Sequence, residues 1–136
     1  MTEAVIIANA IQIALPRAKT GTLRFWGEWF GRPYDNWHKM VDVEALGNTL
    51  HVFFHEGERL SVHAPAGLDL AANQFRIQDA ERVRWEWPSY GHPKTPENLR
   101  FMDFVKSAKG VFGTSNGCWL SKVLQSHASF PAVEII

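Results

Sequence analysis

By type and spacing, Glu44, His51 and His63 could hold a metal ion. Two imidazoles and a carboxylate suit zinc or ferrous iron, and water activated on such an ion would serve a hydrolase or an oxygenase. The three converge only if three runs of alternating apolar and polar residues pair as neighbouring strands. Gly47-Asn48 predicts a two-residue hairpin turn with Gly first. That turn sets Leu46 opposite Thr49, Glu44 opposite His51, and Ala45, Val43 and Val41 opposite Leu50, Val52 and Phe54. A three-residue loop at Glu56-Gly57-Glu58 then sets Phe54 opposite Leu60, Val52 opposite Val62 and His51 opposite His63. Residues directly across neighbouring strands have Cβ atoms about 5 Å apart, so this register levels the acid with both imidazoles. His55 falls about 13 Å along the strand from His51 and outside the row. The competing explanation for the row is plain: histidine is an ordinary residue on the wet face of an antiparallel sheet.

A second group is aromatic. EWFGRPYDN, beginning at Glu28, and EWPSYGHPKTPEN, beginning at Glu86, both run from a Glu-Trp pair through another aromatic to Gly, a basic residue and Pro. Proline and glycine stop each strand, and each proline pushes the preceding Arg32 or His92 towards an extended backbone. Trp26, Trp29, Trp37, Trp85 and Trp87 lie in or beside these corners, with Tyr34 and Tyr90. If the corners meet, they form an aromatic wall edged by Arg32, His38 and His92. Trp, Tyr and Arg are the residues enriched at binding hot spots. The set Trp26, Trp29, Arg32, Tyr34, Trp37, Trp87, Tyr90 and His92 is therefore the predicted surface for a small ligand, a protein partner or a second copy of the chain. Tryptophans that merely fill the ends of a small core are the alternative, and a catalytic use of His38 or His92 is a third reading.

A third feature is SNGCWLS, which resembles the start of the catalytic helix of papain-like cysteine proteases. The match covers Cys118-Trp119 and a displaced Gly117. Those enzymes carry their catalytic His and Asn more than a hundred residues downstream, and 18 residues follow Cys118 here. No residue role is carried over on that resemblance.

The elements that must position these groups are mostly strands. Beside the three runs above, Thr22 to Trp26, Gln74 to Gln78 and Arg82 to Trp87 read as strands. Thr95-Pro96-Glu97 has the form of a helix start and Gly110 of a stop. Between them Phe101, Met102, Phe104, Val105 and Ala108 gather on one helical face. A second helix is expected around Trp119 to Ala128. Ala4 to Leu15 is apolar and reads as core, with its conformation open. The expected fold is α+β: a mainly antiparallel meander, flat, rolled or half-barrel, closed by one or two C-terminal helices.

The 136 residues, 46% hydrophobic, suffice for one domain spanning 1–136. Fourteen basic residues balance fourteen acidic ones, which argues against a dedicated nucleic-acid binder. One cysteine forms no intrachain disulfide, and no apolar run reaches the roughly 20 residues a membrane helix needs. A cytoplasmic protein without a membrane anchor is expected. The functional expectation is a non-enzymatic binding module built on the aromatic corners, against a metal-dependent enzyme or a structural subunit of an assembly. The sequence leaves any cofactor open.

Overall fold

The computed structural model describes residues 1–29, 32–69, 71, 73–77, 80–88, 99–107, 110–116 and 128–136, with side chains outside 25–36 and 106–134. Among the described residues one α-helix, α1 (Glu3–Ala14), and a 3-10 turn (Leu15–Arg17) precede ten strands: β1 (Thr22–Trp29), β2 (Arg32–Leu46), β3 (Thr49–Phe54), β4 (Arg59–His63), β5 (Ala66–Asp69), β6 (Gln74–Arg76), β7 (Arg82–Pro88), β8 (Leu99–Ser107), β9 (Gly110–Asn116) and β10 (Ala128–Ile135). The strands form a single antiparallel sheet in the order β5-β6-β10-β1-β2-β3-β4-β7-β8-β9, which is not closed.

The helix is N-terminal. Thr2 caps it, its Oγ1 accepting from the Val5 N–H at 3.3 Å, and Glu3 places an acid in the first turn. Ala4, Ile7, Ala8 and Ile11 recur at the spacing of one helical face, and all four are buried against the sheet. Fully burying one isoleucine contributes about 1.5–3 kcal/mol, so this face seats the helix. Thr2 also donates to the Gly47 carbonyl at 2.8 Å, and the Gln12 amide donates to the Val43 carbonyl at 3.3 Å.

The C-terminal helices expected from the sequence are not what closes the sheet. Residues 99–107 are strand β8, paired with β7 so that Phe104 faces Val83, Met102 faces Trp85 and Asp103 faces Arg84. The same residues satisfy a helical and an alternating pattern, and the apolar partners supplied by β7 decide between them. The helix-start signal at 95–97 and the core of the second predicted helix, 119–127, lie outside the described residues. Residue 128 already belongs to β10, which inserts between β6 and β1.

The meander keeps its predicted faces with two corrections to register. Leu46, Ala45, Glu44 and Val43 pair with Thr49, Leu50, His51 and Val52 as expected, but the ladder shifts between Met40 and Asp42. Val41 is the extra residue and is 56% exposed, while Met40 takes the place opposite Phe54. At the next turn the loop has three residues, but they are 55–57. The Phe54 N–H donates to the Glu58 carbonyl at 3.0 Å, the Phe54 carbonyl accepts from the Gly57 N–H at 3.1 Å, and Gly57 carries φ +90°. A three-residue hairpin needs its left-handed residue last, and only glycine takes that position without strain. Moving the loop by one residue moves the pairing by two, so Leu50, Val52, Phe54, Leu60 and Val62 still share the buried face.

Candidate functional site

β2 belongs to two halves of the sheet. Residues 32–39 pair with β1, and residues 40–46 pair with β3. The first of the echoed corners is therefore the tip of the β1–β2 hairpin rather than a break, since Trp29 faces Arg32 and Pro33 lies within the strand. Among the described strands, that stretch of β2 has β1 alone beside it, the kind of edge position where proline is tolerated. The second corner follows Pro88, which pairs with Leu99. Strand direction puts both corners, and the β3–β4 tip, at the same end of the sheet. α1 lies towards the other end, where Thr2 bonds to the β2–β3 turn.

On the inner face at the corner end, side chains from four strands or their turns meet. His38 lies opposite the fully buried Leu23. Its Nδ1 is 2.9 Å from Oε2 of Glu58, with the His and Glu side chains 20% and 12% exposed. The imidazole centroid lies 4.9 Å from that of Trp85 and 5.7 Å from that of Phe54, and Phe54 and Trp85 are 5.3 Å apart. Trp87 packs half-buried against the same core. Oε1 of Glu58 is closed off from solvent and has no hydrogen-bond partner among the described residues. Beside the pair, where β2 runs on past the end of β3, is a cavity of about 410 Å³ lined by Trp37, His38, Lys39, Phe54, His55, Glu56 and Glu58.

The outer face of β3, β4 and β7 carries a different set. His51 faces Ser61, and His63 faces Thr49. His51 Nδ1 is 2.9 Å from the Ser61 hydroxyl, and His63 Nδ1 is 3.0 Å from the Thr49 hydroxyl. Burial, and then the nearby Arg59 guanidinium, holds the His51 pKa below its usual 6.5, against the opposing influence of Glu44 and Glu86. Arg59 bonds Glu86 at 2.7 Å, and Arg84 binds Asp103 through both Nε and Nη2. His63 Nε2 is 3.4 Å from Glu81.

The predicted residues separate accordingly. Glu44 does stand opposite His51, but the displaced loop carries His63 one pair further along, so acid and imidazoles are not level. Among the described residues no three His, Cys, Asp or Glu side chains are grouped to hold a metal. Trp37 is 52% exposed, with the Arg24 guanidinium 5.7 Å from its ring. Trp26, Trp29, Arg32 and Tyr34 are placed by backbone at the β1–β2 tip, and their side chains lie outside the described set, as do Tyr90 and His92 altogether. Sequence reasoning left Glu58 in a turn and Phe54 and Trp85 in strands. The signal for Glu58 was present: with Gly57 last in the loop, Glu58 shares the face of Leu60 and Val62.

No family model matches the sequence, and no curated protein or solved structure is significantly similar to it. Among the described residues no helix is long and apolar enough to cross a membrane.

Proposed function

We propose that this chain is a non-enzymatic binding module that takes a small ligand with a planar apolar body and a hydrogen-bond donor at the corner end of its inner face. The observation that carries this reading is the unbonded Oε1 of Glu58, set beside His38 among aromatic rings. A buried acceptor without a partner costs about 1–3 kcal/mol, and a ligand N–H or O–H entering beside it offsets that cost. Phe54 and exposed Trp37 line the cavity, Trp85 lies against both Phe54 and His38, and Trp87 packs against the adjoining core. The corner residues Trp26, Trp29, Arg32, Tyr34, Tyr90 and His92 extend the same surface in this proposal.

The test is an NMR titration with indole, benzamidine and benzoate, following the amides of 54–58 and the Trp85 indole N–H. Indole and benzamidine carry donors and shift these signals saturably. Benzoate, whose carboxylate only accepts, does not. Glu58→Gln weakens the response and Trp85→Leu removes it. Equal shifts from all three compounds, or from none, would sink the proposal.

A further inference from the structure

The outer cleft shows a chemistry of its own, on the opposite face from His38 and Glu58. It encloses about 370 Å³ over β3, β4 and β7. Its two carboxylates are already engaged, Glu86 by Arg59 and Asp103 by Arg84. What remains facing the space is a set of donors. Arg82 lies opposite His63 and is exposed, with no ion pair among the described residues. Arg84 lies opposite Ser61. Asp103 holds one edge of its guanidinium, Phe101 lies under it at 4.2 Å, and Nη1 bonds to no described residue. A guanidinium fixed on one edge presents the other without further loss of side-chain freedom.

The imidazoles complete the set. His51 and His63 each spend Nδ1 on a cross-strand hydroxyl, Ser61 and Thr49 respectively. That bond orients each ring and leaves Nε2 free to face outward at His51, while at His63 it points towards Glu81. Ser61 sits at the centre: His51 and Arg84 are its direct neighbours across β3 and β7, about 5 Å away at Cβ, and Arg82 is a diagonal one at about 7–8 Å. We propose that this cleft is an oxyanion site that takes a phosphate group over Ser61, held by Arg84 and Arg82 with the one donor that the hydrogen-bonded Ser61–His51 pair leaves over, the Ser61 hydroxyl or the His51 Nε2–H according to the tautomer. Guanidinium bonds to phosphate oxygens are charge-assisted and directional, which suits a shallow site on a sheet face. The site is separate from the aromatic end and stands whether or not that end binds a ligand.

The test is a titration of the whole chain with inorganic phosphate at pH 7, following the His51 and His63 imidazole signals by NMR. Sodium chloride at matched ionic strength is the control. Phosphate produces a saturable shift that chloride does not. Arg82→Gln weakens it by at least about fivefold, and Ser61→Ala weakens it by a smaller factor. Both variants leave the inner face untouched, and an unchanged amide fingerprint away from the cleft verifies the fold. A shift equal to that of chloride overturns the proposal, as does a phosphate curve that Arg82→Gln leaves unchanged.

Discussion

The two ends of the inner face are built on the same strands and differ in what lies over them. At one end α1 presses Ala4, Ile7, Ala8 and Ile11 onto β2 and β3, and its polar side chains finish backbone bonds, Gln12 at Val43 and Thr2 at Gly47. At the other end rings and a His–Glu pair stand where the helix does not reach, and a buried carboxylate oxygen is left without a donor. β2 passes through both. The helix end therefore carries apolar burial and satisfied backbone bonds, and the corner end carries the unspent bonding capacity on which the proposed ligand site rests.

The contrast breaks most directly at Ile11. Ile11→Ala removes a fully buried side chain under the helix and costs about 2–5 kcal/mol in urea unfolding. A loss below about 1 kcal/mol would mean that α1 is not the principal cover of this face. At the corner end the sign reverses. The double variant His38→Phe, Glu58→Leu replaces a half-hidden pair by apolar groups and raises stability by roughly 1 kcal/mol, while abolishing the indole response. If it destabilises the chain as much as Ile11→Ala does, the pair is a structural element and the distinction between the ends disappears.

Smaller effects sharpen the comparison. Gly57→Ala forces a side chain onto φ +90° and costs about 1 kcal/mol, disturbing Glu58 next to it more than α1. Gln12→Leu leaves the Val43 carbonyl without its partner, for a loss of about 1 kcal/mol confined to the helix end. The least effect is one of pH. The folded His51 pKa lies below 6.5, so between those values the unfolded chain binds more protons. Stability therefore falls as pH drops from 6.5 through the lowered folded value. His51→Gln flattens that slope in a series of urea titrations.

Much of the sheet was legible because side-chain period is a strong constraint. Leu50, Val52, Leu60 and Val62 had to share a face, and any even error in register preserves that. The same property hid the error that mattered for chemistry, since a shift of two residues leaves the core intact yet moves His63 from His51 to Thr49. Val41 was misplaced because a bulge has no signature in an alternating run. Residues 99–107 fit two periods equally, and their state depends on β7. The membership of β10 was invisible, since nothing in ASFPAVEI names β1 or β6 as a neighbour. For the candidate site, Trp37 and Trp87 were named from the sequence while Phe54, Trp85 and Glu58 were not, and the face of Glu58 follows only once Gly57 is taken as the last residue of the preceding turn.

β10 has a consequence for how the molecule assembles. Among the described strands it is the one that joins the β5–β6 ribbon to the rest of the sheet, and the bonds at its C-terminal end join groups as far apart in the chain as Thr20 and Ile136, 116 positions away. Contacts between such distant segments form slowly, because a long loop must be ordered before they repay it. Until β10 slots in, β1 and β6 each present an open edge to whatever strand is near, another molecule included. Crowding during refolding should thus be most hazardous before that one insertion and far less so after it.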